Sequence, residues 1–206
     1  TISKNGSNLK RLTHHSTSDY NMSMDEKGNM YFSTRRSFAT VDRENEIYGL
    51  KAGEQTPTRA LDAVAQKAAV SPNGRFMALE RGYCRVAREA YKGSANRDIW
   101  MYDVQSKKYH AITTDIGQDV SPVWAGNSTL FYLSARSGRY NLYSTSIDGS
   151  GKATGETKQI TKFKKTGIRH FSLSADGKTV VFTQGGSIYT QSTSGGKAKK
   201  INITVG

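Results

Sequence analysis

The sequence predicts an all-β protein of the β-propeller class, and three observations lead to that prediction. A pattern of turn, apolar strand and aromatic strand occurs four times in 206 residues. The aromatic residue of this pattern returns at intervals of 52, 43 and 46 residues, at Tyr48, Trp100, Tyr143 and Tyr189. No long segment has the apolar spacing of an amphipathic helix. A period of this length with several short strands is typical of a propeller blade, which is a four-stranded antiparallel sheet.

Each repeat begins with a turn and an apolar strand, which together predict a hairpin. We expect a left-handed backbone in these turns, because glycine and asparagine tolerate positive φ best. The turn residues are Gly28, Gly74, Asn127 and Gly177. The strands that follow read NMYFS, RFMALE, TLFYLS and TVVFT. Only the stretch 61–70 has a pattern that allows a short helix, and its place between two repeats argues against one.

A short strand ends each repeat, and the positions at which this strand recurs divide the chain into blades. It reads as an apolar residue followed in most copies by threonine, and it occurs at Leu12, Leu61, Ile112, Ile160 and Ile201. Residues 1–13 match only the back half of a repeat and are interpreted as the tail of a preceding blade. Four blades are then predicted, at 14–61, 62–113, 114–161 and 162–206.

One propeller domain is therefore expected over 1–206. Blade faces remain open unless the ring closes, so we expect these blades to be part of a larger ring of six or seven. The alternative is a complete four-bladed ring in which the first strand completes the last blade. That alternative is disfavoured because residues 199–205 already supply the last blade with a final strand.

Composition and charge limit the kinds of partner. The chain is 35% hydrophobic and 10% aromatic, which is typical of a globular protein, and it has no apolar run long enough to span a membrane. Its first residues lack the pattern of a secretory signal. A single cysteine, Cys84, excludes an internal disulfide and leaves the compartment open. The net charge of +13 allows an anionic partner such as nucleic acid, an acidic surface or a peptide carboxyl terminus.

Several motifs resemble the WD40-like repeats of the TolB and tricorn families. Their consensus joins a leucine-threonine strand, a Ser-Pro-Asp-Gly-Lys turn and an aspartate-isoleucine-tyrosine strand. The matching segments here are KRLT, SPNGR, RDIWMYDV, KQITK and SADGK. The run from 82 to 124, together with LFYLSARSGRYNLYS after it, is similar to the first propeller of bacterial tricorn-like serine peptidases.

That resemblance implies a function and a location. In such peptidases the first propeller is followed by a second propeller, a PDZ domain and a serine-peptidase domain, none of which lies in these 206 residues. The implied protein is periplasmic or otherwise exported, and the implied role of this chain is to scaffold the enzyme and to gate or bind peptides for it. The implied partners are a peptide or protein, together with the remaining blades and the catalytic domain. Two alternatives stay open: a stand-alone TolB-like protein–protein interaction module, and binding of a polyanion.

The residues themselves predict no catalytic site, metal site or cofactor in this chain. No G-x-S-x-G pentapeptide is present to activate a serine. His14 and His15 are adjacent and so point to opposite faces of a strand, and no H-x-x-x-H or C-x-x-C spacing occurs. Cys84 has arginines nearby in sequence that would lower its pKa if they converged on it, and the alternative is a partly buried structural cysteine.

The segment 81–97 is the leading candidate for binding. It is inserted within one repeat, where propeller insertions usually protrude from a face. Five cations and two tyrosines stand here against the single acid Glu89, and they are Arg81, Tyr83, Arg85, Arg88, Tyr91, Lys92 and Arg97. Such a set can grip a carboxylate or a phosphate. The alternative is a solvated loop whose arginines pair with acids of a neighbouring blade.

Two further basic regions have simpler interpretations. The insertion 34–45 adds Arg35 and Arg36 as candidates, with Phe38 expected to anchor it, while Asp42 and Glu44 offset Arg43. The tail from 151 to 206 carries ten lysines or arginines and two acids, but its lysines sit at turns and sheet edges, where lysine discourages aggregation. The aromatic residues recur at the repeat period, which indicates blade core rather than a base-stacking surface, so nucleic acid is not expected as a partner.

Overall fold

A computed structural model describes residues 1–37, 44–114 and 116–204, and every regular element in these ranges is a β-strand. The strands form four separate four-stranded antiparallel sheets, each made of consecutive strands. The prediction of an all-β fold with four antiparallel blades is confirmed. The stretch 61–70 forms the end of one strand and the whole of the next, so it is not helical.

The sheets are numbered as blades 1 to 4 in chain order. Blade 1 contains β1 (Asp19–Met24), β2 (Met30–Thr34), β3 (Glu46–Leu50) and β4 (Thr58–Val64). Blade 2 contains β5 (Lys67–Val70), β6 (Phe76–Arg81), β7 (Asp98–Asp103) and β8 (Lys108–Ala111). Blade 3 contains β9 (Asp119–Ala125), β10 (Thr129–Ser134), β11 (Asn141–Ile147) and β12 (Ala153–Gln159). Blade 4 contains β13 (Ile168–Leu173), β14 (Thr179–Gln184), β15 (Ser187–Ser192) and β16 (Lys199–Ile201).

The first strand of each blade is the innermost, because β1 lies against β5 and β9 lies against both β5 and β13. The fourth strands therefore lie at the outer wall. Apolar side chains fill the spaces between adjacent blades in separate layers. One layer, for example, joins Ile47 and Leu61 of blade 1 to Met77 and Leu79 of blade 2.

The aromatic residues that revealed the repeat occupy equivalent places in all four blades. Each pairs with a large apolar residue of the preceding strand, in the pairs Phe32 with Tyr48, Leu79 with Trp100, Tyr132 with Tyr143, and Phe182 with Tyr189. Because every one of these pairs sits in a blade, the sequence period reports packing inside the sheets.

The predicted left-handed turns are right in three blades and wrong in one. Gly28, Gly74 and Gly177 have φ of 81°, 73° and 68°. In blade 3 it is Gly126, with φ of 62°, that is left-handed rather than Asn127. The link there has only three residues, 126–128, so the left-handed position falls on its first residue. The Asn127 side chain instead accepts a hydrogen bond from the Asn73 N–H at 2.9 Å.

Residues 1–18 form no strand, so the strand expected at Leu12 is absent. A strand needs a hydrogen-bonded neighbour, and the described residues offer none at this place. Leu12 instead packs against Met30, Phe32 and Leu50, on the face of blade 1 that is turned away from blade 2. The assignment of residues 1–13 to a preceding blade stays a prediction.

The antiparallel order sends the connecting segments to two opposite faces. The links after β2, β6, β10 and β14 emerge on the same face as the links from one blade to the next. We call this the insertion face, because both sequence insertions begin there, after Thr34 and after Arg81. The opposite face carries the links after the first and the third strand of each blade. Within the part of the chain that the structure describes, no helix is long and apolar enough to cross a membrane.

Candidate binding face

The longest insertion is the basic loop, which we define as residues 82–97 between β6 and β7. Its end is fixed by Arg97, whose Nε donates to the Cys84 carbonyl at 2.6 Å and whose Nη1 forms an ion pair with Glu80. The other oxygen of Glu80 accepts the Ser121 N–H of blade 3 at 2.8 Å. Arg97 therefore holds the loop in place, and its guanidinium is committed inside the protein rather than offered to a ligand.

The middle of the basic loop is fixed by Glu89. Its side chain is only 4% exposed, and Oε1 lies 3.1 Å from Nη1 of Arg169 in blade 4. Oε2 accepts the Tyr140 N–H at 3.3 Å and lies 3.9 Å from Nη1 of Arg139 in blade 3. The fully buried Gln118 also donates to the Arg88 carbonyl at 2.6 Å. A loop that belongs to blade 2 is thus fastened to blades 3 and 4.

Three predicted cations of the loop, Arg85, Arg88 and Lys92, remain exposed on the insertion face. Among the described residues, none of the three has a carboxylate within 4 Å. The Arg88 guanidinium lies 5.0 Å above the Tyr91 ring, and the Tyr91 hydroxyl accepts the Ala95 N–H at 3.2 Å. These cations therefore project from a backbone that hydrogen bonds already hold.

A cleft of about 390 Å³ separates the basic loop from blade 3. Tyr91 and Lys92 line one wall, and Ile116 and Arg136 line the other. Arg136 lies above the Tyr143 ring at 4.9 Å, and its Nη2 donates to the Tyr132 hydroxyl at 3.1 Å. The cleft thus has Lys92 on one side, which suits an anionic group, whereas the Arg136 guanidinium on the other side already pairs with Asp119, with 3.4 Å between Nη2 and Oδ1.

The sequence analysis missed Arg136, although a signal for it exists. Arg36 follows Phe32 by four residues, as Arg136 follows Tyr132. Each arginine forms an ion pair with the first residue of the first strand of its blade, Arg36 with Asp19 and Arg136 with Asp119. Arg36 Nη2 lies 2.6 Å from Asp19 Oδ2 and its guanidinium is 5.3 Å from the Phe32 ring centre. Arg139 and Arg169 were also missed, and no local pattern marks them.

Arg36 is therefore a structural residue rather than an open binding residue. Its side chain is 10% exposed. Burial acts to raise the pKa of Asp19, but hydrogen bonds from Arg36, Thr13 and Thr34 outweigh it and hold that pKa below its ordinary value. Arg35 is exposed, and its Nε donates to Asn45 Oδ1 at 3.1 Å. Phe38, Asp42 and Arg43, which the sequence analysis also singled out, lie outside the described residues.

The remaining predicted residues lie at a second cleft, of about 360 Å³, between blades 1 and 2. Arg81, Tyr83 and Trp100 line it, with the Arg81 guanidinium 5.0 Å above the Trp100 ring. Tyr83 is 63% exposed. Four of the nine predicted residues therefore line the two clefts, Tyr91 and Lys92 the first and Arg81 and Tyr83 the second. Cys84 lies between them, 5% exposed, with Sγ 3.7 Å from the Arg85 carbonyl, as the structural alternative expects.

Four repeated sheets with one basic, firmly held insertion define this chain as a β-propeller domain with a cationic face. The chain belongs to the family described as the tricorn protease N-terminal β-propeller domain, whose model matches residues 1–197. It is 29% identical over 134 residues to the tricorn protease of Thermoplasma volcanium, which is 65% of this chain and 12% of that protein. It is 30% identical over 115 residues to the tricorn protease of Thermoplasma acidophilum, which is 56% of this chain and 10% of that protein. The matched region is therefore a small part of each relative.

Two solved structures show the same fold. A crystal structure of TolB from Acinetobacter baumannii has a TM-score of 0.74 and 18% identity, covering 97% of this chain and 47% of that one. A crystal structure of the tricorn protease has a TM-score of 0.74 and 21% identity, covering 98% of this chain and 19% of that one. The resemblance to WD40-like, TolB-type and tricorn-like propellers is confirmed.

Proposed function

We propose that this chain is a non-catalytic part of a larger propeller of six or seven blades in an exported protein. In that protein it scaffolds a serine-peptidase domain and gates or binds the peptides that the domain cleaves. The family supports association with the rest of a protease chain. The observation that carries the peptide-binding role is the basic loop, in which Glu89 is fastened to two other blades while Arg85, Arg88 and Lys92 stay exposed.

A firmly held loop is well suited to capture. Because its backbone is already ordered, a ligand loses little affinity to ordering the loop. Lysine and arginine donate charge-assisted hydrogen bonds to the carboxylates of acidic side chains or of a peptide carboxyl terminus. Binding that acts equally on substrate and transition state changes KM and leaves kcat nearly constant, and we expect this behaviour of a contact made on the propeller.

Peptide hydrolysis by the full-length protein tests the proposal. We compare the triple variant Arg85→Gln, Arg88→Gln and Lys92→Gln with a control triple, Lys27→Gln, Lys107→Gln and Lys108→Gln. The control residues are exposed lysines at the opposite face. Each exposed ion pair contributes less than about 1 kcal/mol, so losing three raises KM for an acidic peptide about tenfold. We expect unchanged kcat, and less than a twofold change in the control.

Three outcomes would overturn parts of this proposal. A fall in kcat at constant KM would contradict peptide capture. Equal effects of the two triple variants on KM would show that only the net charge of the protein matters, and not the position of the three cations. No hydrolysis by the full-length protein would favour the TolB-like interaction module. Cell fractionation tests export to the periplasm, which rests on the family resemblance alone.

A further inference from the structure

A second cationic surface lies at the outer wall, away from the insertion-face clefts. A groove of about 390 Å³ runs between residues 158–163 of blade 3 and residues 194–198 of blade 4. Lys158 and Lys162 line the first bank, and Lys164 and Lys165 continue it. Lys197 is adjacent in sequence to the lining residues Gly196 and Ala198 of the other bank, Lys200 follows in β16, and all six lysines are exposed. Lysines therefore line the first bank and are close in sequence to the second.

These lysines lack acidic partners in the part of the chain that the structure describes. None of the six has a carboxylate within 4 Å there. The acids of residues 151–204 are Glu156 in β12 and Asp176, and Asp176 accepts hydrogen bonds within its own turn from Ser174 and Lys178. Lys158 donates once, to the Ser194 carbonyl at 3.1 Å, which ties the two banks together. The positive charge of these lysines is therefore not neutralised by carboxylates of the described residues.

The groove lies beside an open strand edge. In blade 3 the order is β12, β11, β10, β9, so β12 pairs on one side only among the described strands. Its last residues, Lys158 and Gln159, line the groove. An extended peptide can pair with such an edge through its backbone N–H and C=O groups, as in β-augmentation. A phosphate polymer has no equivalent groups.

The banks also lack a surface on which nucleic-acid bases stack. Phe163 is the aromatic residue of the lining, and its ring packs edge-on against Phe182 of the core, 5.7 Å between centroids. Nonspecific single-strand binding combines a basic groove with exposed aromatic rings, and this groove has the charge without the rings. The chemistry therefore favours a polypeptide with carboxylates.

We propose that this outer-wall groove binds an extended, acidic peptide segment of a partner protein. Carboxylates of the segment pair with Lys158 and Lys162 of the first bank and with Lys197 beside the second, and the backbone of the segment pairs with the free edge of β12. The site is separate from the clefts of the insertion face, so it holds whether or not the peptide-capture function above is right. The competing explanation is that these lysines only protect a sheet edge from aggregation.

Fluorescence anisotropy on the full-length protein tests this proposal. The probes are a labelled peptide of alternating glutamate and valine, the same peptide N-methylated at alternate residues, and a labelled single-stranded oligothymidine. The groove triple is Lys158→Gln, Lys162→Gln and Lys197→Gln, and the control triple is again Lys27→Gln, Lys107→Gln and Lys108→Gln. We expect the groove triple to weaken binding of the acidic peptide about tenfold and the control triple to weaken it less than twofold. N-methylation of the peptide is expected to weaken binding further.

The contrary outcomes are distinct. Equal weakening by both triples would show a response to net charge and overturn the site. If the oligothymidine binds more tightly than the acidic peptide and the groove triple weakens its binding to the same extent, the ligand of the groove is a phosphate polymer and not a peptide. No binding of the acidic peptide at low salt, with both triples folded by circular dichroism, would leave edge protection as the role of these lysines.

Discussion

Glu89 and Arg169 form an ion pair, with 3.1 Å between Oε1 and Nη1, although one belongs to the loop of blade 2 and the other to the innermost strand of blade 4. A side chain that reaches past its neighbouring blade fixes the relative positions of three sheets. The cationic face therefore depends on an acid, and changes to Glu89 are expected to affect the fold.

The change Glu89→Gln is expected to lower the free energy of unfolding by about 1 kcal/mol, because it removes the charge from a buried carboxylate. The effect stays modest because Arg139 and Arg169 are 44% and 48% exposed and regain water. Urea denaturation at low and high salt measures it. Glu156→Gln, at an exposed position of β12, is the control. Equal stability of both variants would show that this carboxylate does not hold the loop.

The change Tyr140→Phe is expected to leave stability unchanged or to raise it by up to about 1 kcal/mol. Tyr140 is 1% exposed, and its hydroxyl has no hydrogen-bond partner among the described residues. Burial, with the nearby Glu80 and Glu89 carboxylates, raises its pKa. Tyr91→Phe removes the acceptor of the Ala95 N–H and is expected to destabilise. Thermal unfolding compares the two, and a clear loss in Tyr140→Phe would reveal a partner for that hydroxyl.

The change Gly151→Ala tests how blade 3 docks on blade 2. An added Cβ would lie 2.7 Å from Phe76 Cε1 and 3.3 Å from Met101 Cγ, at a φ of +81°. Gly53 has a φ of +84° but no atom within 4 Å of that position, so Gly53→Ala adds only backbone strain. We expect Gly151→Ala to be less stable than Gly53→Ala by about 1–3 kcal/mol, measured in urea. Similar losses of stability in the two variants would mean that the interface between blades 2 and 3 rearranges easily to accommodate the added methyl group.

Sequence periodicity was enough to predict the blades, because each blade is a local unit. A hairpin needs only a turn residue and two alternating strands, so Gly28 and Gly177 mark their turns correctly. Asn127 was wrong because the link in blade 3 has only three residues, a local detail that the repeat pattern does not specify.

The binding face was harder to predict, because pairing between distant residues decides which cations stay exposed. Arg36 and Arg97 have the same sequence character as Arg85 and Arg88. Yet Asp19 and Glu80 lie beside Arg36 and Arg97 in the fold. Similarly, the sequence marked Glu89 only as the single acid among the cations of the loop, whereas contacts from two later blades make it the anchor of that loop.

Among the described residues, three layers of the apolar core are each shared by two neighbouring blades, a fourth lies within blade 1, and none is common to all four blades. Such an arrangement is stabilised by the contacts between adjacent blades, as a solenoid is stabilised by the contacts between adjacent repeats. Under tension applied to its two ends, the chain would lengthen one blade at a time, giving a series of force peaks instead of a single rupture.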